Sequence, residues 1–241
     1  MFLVVDIGNT LQKAVLFDAS GNVVGRVCSE CVGTAEIAVL CQGVDVRAAL
    51  ISSVGNASEE LFEWLSQHTR LLQLSPVLRL PVRLRYETAE TLGADRIACA
   101  VGAAAMFPQE NVLTVQAGTC LVTDFVSAEN EYRGGSISPG LQMRFKALHH
   151  YTAGLPLVTP QEIELYTGSS TQKSMLSGVI NGMAAEIDGF VDRYRRDYAG
   201  LKVLITGGDA PFLERYLKNR IFAAPNLVAF GLYNILRYNE A

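Results

Sequence analysis

Phe2 to Val5 form an unbroken apolar run that reaches Asp6, and Gly8-Asn9-Thr10 follow as a tight polar turn before a second apolar run, Ala14 to Phe17. This pattern predicts two strands joined by a turn, a hairpin, and not a turn that opens a helix. Asn22 to Ser29 reads as a third antiparallel strand and Ala35 to Leu40 as a short helix. Ala49 to Val54 is a central strand ending in small polar residues, followed by a helix that Asn56 or Ser58 can cap, with Glu59 and Glu60 in its first turn. Leu61, Trp64 and Leu65 give that helix its apolar face, and Leu71 to Leu74 makes a further short strand. Residues 75–96 are irregular, and an Ala-rich helix from Ala94 to Phe107 closes the first half.

The second half repeats the opening design. Val112 to Phe125 is again an apolar strand, a small-residue turn (Ala117-Gly118-Thr119) and an apolar strand. Placing Gly8 on Gly118 sets Asp6 opposite Gln116, and an offset of about 110 residues is far too long for a solenoid unit. It suits a duplicated domain. Glu131 to Ile137 reads as another strand with paired glycines, and Pro139 as the N1 residue of a helix that ends at His149 and His150, where cations suit the dipole. The longest helix is expected over residues 172–198, with Ser170 or Thr171 as a possible N-cap. Leu201 to Ile205 forms the last clear strand, Thr206-Gly207-Gly208 turns it toward a helix at Pro211 to Leu217, and Asn226 to Tyr238 is the closing helix.

The first turn sets backbone N–H groups, a hydroxyl, an amide and a carboxylate at the exposed end of a rigid sheet, and Gly8 lets a bulky anion approach. Phosphate fits there. Asp6 cannot hold phosphate directly, but it can orient a hydrated Mg²⁺ that bridges phosphates, and Lys13 adds positive charge. The plain alternative is a hairpin whose Asp and Asn serve only the turn. Asp95 and Arg96 lie in the first turn of the Ala-rich helix, where the dipole favours the carboxylate and not the guanidinium. Arg96 therefore needs a partner, either a substrate carboxylate or Asp95 itself.

Of 241 residues, 49% are hydrophobic and 18% charged, which indicates one large or two modest well-packed domains and not disorder. A net charge of −4 with no basic run argues against a dedicated nucleic-acid surface. Arg79, Arg83 and Arg85 alternate with apolar residues and read as the solvated face of an edge strand or loop. No basic n-region or apolar run of roughly 20 residues is present, so no membrane partner and a cytoplasmic enzyme are expected. The five cysteines, at 28, 31, 41, 99 and 120, fit reduced thiols, and Cys28-Ser29-Glu30-Cys31 lacks a second pair for zinc. Neither a Walker A sequence nor an uninterrupted G-x-G-x-x-G occurs.

The Asp6-Ile7-Gly8-Asn9-Thr10 start, Gly93-Ala94-Asp95-Arg96, the Ala117-Gly118-Thr119 turn, Gly134 to Leu141 and the late Thr206-Gly207-Gly208 resemble, in order and spacing, the type III pantothenate kinases of the acetate and sugar kinase/heat-shock chaperone/actin superfamily. The resemblance implies an α/β fold of duplicated ribonuclease-H-like (actin-like ATPase) domains, residues 1–108 and 109–241, with mixed sheets flanked by helices and an interdomain nucleotide cleft. It implies ATP-dependent phosphorylation of pantothenate, the first step of coenzyme A biosynthesis. Asp95 aligns with the general base. Asp6, Ile7, Gly8, Asn9, Thr10, Leu11, Gln12, Lys13 and Thr119 align with the ATP and phosphate contacts, and Tyr86, Gly93, Ala94, Asp95, Arg96 and Thr171 with the pantothenate contacts. Thr171 would come from the other subunit of a homodimer with shared sites, the Ala-rich helix would form part of the interface, and Cys99 stands where the family often has Asn. Mg²⁺ near Asp6 and a monovalent cation, K⁺ or NH₄⁺, complete the implied set. At the cation position the family usually has Asp, and Gln116 removes that charge; an amide oxygen can still ligate K⁺, but less tightly. Two other readings stay open: a non-catalytic or regulatory dimer that binds nucleotide or pantothenate, which Gln116 motivates, and another small-molecule kinase of the superfamily.

Overall fold

The structure is a computed structural model and describes residues 1–8, 10–53, 58–75, 78–164 and 166–240. In chain order the elements of the first half are β1 (Phe2–Ile7), β2 (Gln12–Phe17), β3 (Val23–Ser29), α1 (Thr34–Leu40), β4 (Ala48–Ser53), α2 (Glu59–His68), β5 (Arg70–Gln73), β6 (Arg83–Leu84) and α3 (Ala94–Met106). The second half has β7 (Val112–Ala117), β8 (Cys120–Val126), β9 (Glu131–Pro139), α4 (Leu141–His150), α5 (Thr171–Asp197), β10 (Lys202–Thr206), α6 (Ala210–Leu213), β11 (Phe222–Ala223) and α7 (Leu227–Glu240).

Two compact units result. The first holds residues 1–108, Glu129–Tyr132 and 226–241; the second holds Gln109–Ala128 and Arg133–Pro225. This grouping differs from a division at residue 108 because α7 lies on α3 and β1 in the first unit.

In the first unit the sheet runs β3-β2-β1-β4-β5, with β2 antiparallel to β1 and to β3, and β4 parallel to β1 and to β5. Central strand β1 is covered on both faces, which is why its sequence is a continuous apolar run. Leu3, Val5 and Ile7 face one way, packing with Ile37 of α1 and with Leu61 and Leu65 of α2. Phe2 and Val4 face the other, packing with Ala98 and Val101 of α3 and with Leu232, Ile235 and Leu236 of α7. The second unit repeats the order: β9, β8, β7, β10 and β11 are successive neighbours, with β8 antiparallel and β10 parallel to β7. Its core joins Leu113, Val115 and Ala117 to Leu141 and Phe145 of α4 and to α5 from Met175 to Val191.

Ser58, not Asn56, caps α2, its Oγ accepting from Leu61 N–H at 3.1 Å; Asn56, like Val54, lies outside the described residues. Pro139 does not open α4 as expected. It is the last residue of β9, and Gly140 takes the N-cap, because Pro139 O accepts from Arg144 Nε at 2.7 Å and holds the chain extended there. The helix expected at residues 211–217 is shorter, α6 giving way to a 3-10 turn over Glu214–Tyr216. Arg83 and Arg85 keep exposed heads that both pair with Glu131, at 3.5 and 3.0 Å. The five cysteines are free thiols. Among the described residues no helix is long and apolar enough to cross a membrane.

The α3–α7 contact depends on glycine. A Cβ at Gly231 would stand 1.8 Å from the Ala98 carbonyl oxygen, a backbone atom that cannot yield without parting the helices. Gly231→Ala is expected to destabilise the protein by about 3 kcal/mol, the upper end of overpacking costs. Gly189→Ala in α5, where a Cβ meets nothing within 4 Å, should instead be neutral or gain up to about 1 kcal/mol of helix propensity. Urea midpoints of the two variants check the contrast.

Candidate active site

Asp6 is the second-last residue of β1. In register it faces Lys13 on β2 and Ser52 on β4. Asp6 Oδ1 and Ser52 Oγ are both fully buried, and neither has a hydrogen-bond partner among the described residues. Burial pushes the Asp6 carboxyl up to about 6, the charge of Asp95 adds to the rise, and Lys13 opposes it. Asp6 and Asp95 are thus brought together. Around them, Ile7 ends β1 inside the core, Gly8 is partly buried, and Thr10 and Leu11 are exposed. Gln12 Oε1 accepts from Val32 N–H at 2.9 Å, so this side chain tethers the strand end, where Gln12 pairs with Ile7 on one side and Ser29 on the other. Asn9 lies outside the described residues.

Gly93 is the N-cap of α3, followed by Ala94, Asp95 and Arg96. A Cβ at Gly93 would stand 2.7 Å from Asp95 Oδ1, so only glycine lets that carboxylate keep its place. Arg96, against the sign of the helix dipole, is only 6% exposed. Aromatic rings hold it: the guanidinium carbon lies 5.5 Å from the centre of Tyr86 and 5.9 Å from that of Tyr132, and Nη1 reaches Tyr86 Oη at 3.4 Å.

In the second unit Gln116 takes the place on β7 that Asp6 takes on β1, with Thr206 of β10 where Ser52 stands on β4. The Ala117-Gly118-Thr119 turn is tied down on two sides. Gly140 N–H donates to Thr119 O at 3.2 Å, and Asp209 N–H donates to Ala117 O at 3.0 Å. Gly207, at φ +101°, passes so close to Ala117 that a Cβ would meet its carbonyl oxygen at 2.1 Å. Thr119 itself is exposed. Thr171 is the exposed first residue of α5 after its N-cap Ser170, and it lines a cavity of about 930 Å³ with Arg144, Leu148, Tyr151 and Met175.

Two participants escaped the sequence reading. Ser52 was legible only as part of a small polar strand end, and Tyr132 carries no signal apart from its place before Gly134-Gly135.

This arrangement is that of an actin-like kinase. The fold matches the ROK family glucokinase from Streptomyces griseus, solved with glucose and AMPPNP, at a TM-score of 0.52 and 15% identity, covering 99% of each chain. The protein belongs to the type III pantothenate kinase family, whose sequence model matches residues 2–193. Type III pantothenate kinase of Flavobacterium psychrophilum is 37% identical over all of both chains, and that of Cytophaga hutchinsonii is 41% identical over 99% of this chain and 100% of its own.

Asp6 binds its proton more tightly folded than unfolded, so the folded state gains a proton relative to the unfolded one between the ordinary carboxylate value of 3.8 and about 6. Its contribution is most favourable below 3.8 and is lost as pH rises through about 6. In the ligand-free protein Asp6→Asn should therefore stabilise by about 2–3 kcal/mol at pH 7.5 and by much less at pH 4.5. Thermal unfolding at the two pH values reads this directly.

Proposed function

We propose that the protein transfers the γ-phosphate of ATP to the primary hydroxyl of pantothenate, giving phosphopantothenate, the first step of coenzyme A biosynthesis. The observation that carries the reading is the start of α3, where Asp95 is aimed by a glycine cap and Arg96 is held ready between two rings. Asp95 orients the hydroxyl and accepts its proton. Arg96 and Tyr86, with the backbone of Gly93 and Ala94, receive the carboxylate and amide of pantothenate. Thr119, through its hydroxyl and N–H, and the β1–β2 turn with Lys13 receive phosphates.

Mg²⁺ fits at Asp6. An orphaned carboxylate oxygen beside a second carboxylate is a place where a divalent ion relieves both desolvation and repulsion. Among the described residues no cluster of three or more His, Cys, Asp or Glu stands ready to hold a metal. Water and phosphates then supply most of its ligands, as Mg²⁺ prefers, and it offsets phosphate charge. The monovalent cation does not fit as well: the group at its position is the neutral amide of Gln116.

A homodimer with Thr171 donated to the partner's site belongs to this reading. Supporting it, Tyr151, Leu157 and Tyr166 are exposed large apolar groups of the second unit, and Tyr151 lines the α4–α5 cavity beside Thr171. A cytoplasmic location agrees with the five free thiols. The two halves, 1–108 and 109–241, are read as a duplication on the strength of their matching strand orders.

Purified protein supplied with ATP, Mg²⁺ and pantothenate should form phosphopantothenate. Asp95→Asn should lower kcat by about 10²–10⁴-fold with little change in KM for ATP. Gly93→Ala, which displaces the same carboxylate, should lower kcat by about tenfold while thermal stability shifts by only a few degrees. Full turnover by Asp95→Asn would refute the base assignment, and nucleotide binding with no turnover by the wild type would favour the regulatory reading.

A further inference from the structure

Gln116 carries a buried amide donor for which the described structure offers no acceptor. The residue is 9% exposed, and its Nε2 is fully buried without a hydrogen bond. A dry, unpaired donor costs about 1–3 kcal/mol, and native proteins keep few of them. A ligand that brings an acceptor removes the cost.

Position names the ligand. Gln116 stands two residues before Gly118 on β7, and its register partner on β10, Thr206, immediately precedes Gly207-Gly208. The amide therefore sits where two strand ends lead into glycine turns, one of them carrying the exposed, phosphate-suited Thr119. A cation finds poor ligands at the same point. On β8 the facing residue is Val122. Asp124, two residues beyond Val122 on β8, is wholly buried and already has interactions of its own. Turning the amide over would offer one uncharged oxygen, with no carboxylate to balance a bound K⁺.

We propose that Gln116 Nε2 donates a hydrogen bond to a phosphate oxygen of bound ATP, so that a neutral donor takes the place of a carboxylate-held cation and the kinase works without K⁺ or NH₄⁺. This deepens the kinase reading and rests on it. A donor to an anionic oxygen belongs to the stronger class of hydrogen bond and leaves no charge to compensate.

The test is calorimetric titration of Mg·ATP into wild type, Gln116→Leu and Gln116→Asp, each in KCl, NH₄Cl or tetramethylammonium chloride at equal ionic strength. Thermal unfolding of ligand-free protein in the same salts reads cation binding directly. Wild-type Kd should agree within about twofold across the salts, and its unfolding temperature should not respond to K⁺. Gln116→Leu should bind ATP about tenfold more weakly in every salt while unfolding no earlier, since the hydrogen bond is lost and the buried orphan with it. Gln116→Asp, which sets a carboxylate against phosphate, should bind poorly in tetramethylammonium and recover in K⁺. ATP affinity of the wild type that rises tenfold with K⁺ or NH₄⁺ would overturn the proposal, as would unchanged affinity in Gln116→Leu or salt-independent binding by Gln116→Asp. Affinity is read without turnover, so failure to phosphorylate pantothenate in any salt counts against the kinase reading alone, and the titrations still decide the role of Gln116.

Discussion

Two parallel strand pairs, β1 on β4 and β7 on β10, place polar residues side by side at their carboxyl ends, and the rest of the site is built outward from them. The constraint is geometric. A central strand flanked on both edges by other strands spends its backbone groups on the ladders. Along β1 the body of the strand is apolar because helices cover both faces, and polarity enters only at Asp6, where the strand is about to leave the sheet. The turns that follow are therefore held by a rigid base, and the second is tied further by Asp209 N–H on Ala117 O and Gly140 N–H on Thr119 O.

Polar groups at such a place are held at a cost. Asp6 Oδ1, Ser52 Oγ and Gln116 Nε2 are all buried and all without partners among the described residues. Each could have been satisfied by a different neighbour, and packing is tight enough to keep them where they are. Gly231 on Ala98 lets α7 close on α3, and α3 carries Asp95 and Arg96 at its start. The helix contact therefore also fixes the first turn of α3, which loosening it would move. Gly207 does the same for the second unit by passing against Ala117 at the root of the phosphate-suited turn.

Most of the fold was legible because β1, β2, β7 and β8 announce themselves as apolar runs broken by small polar turns, and because Asp6 and Gln116 fall at equal places in two copies of that pattern. The register pairs Asp6–Ser52 and Gln116–Thr206 bear out that alignment at residue level. What escaped depends on long-range contact. Ser52 acquires meaning only when β4 pairs with β1, a choice that local pattern cannot make. Tyr132 joins Arg96 because the start of β9 pairs with β6 across nearly fifty residues of chain, with Leu84 facing Tyr132. Pro139 was read as a helix start from its preference for N1, and a tertiary hydrogen bond from Arg144 to its carbonyl overrode that preference. Gln12 looked like one more ligand of the turn, but Val32 N–H claims its side chain.

The divergence of the two strand ends follows from charge. Asp6 keeps its carboxylate among a lysine in register and a second carboxylate, a setting in which one negative charge has both a counter-ion and a cation to attract. Gln116 has Val122 and Thr206 in register, neither of which can neutralise anything. A carboxylate there would repel the phosphates unless a cation stood between them, and holding that cation would need more oxygen ligands than the single side-chain hydroxyl that Thr206 brings. An amide removes the repulsion and the need for the cation in one substitution. The exchange gives up the pull of a bound positive charge on the phosphates, so the neutral site depends on hydrogen-bond donors alone to supply what attraction remains.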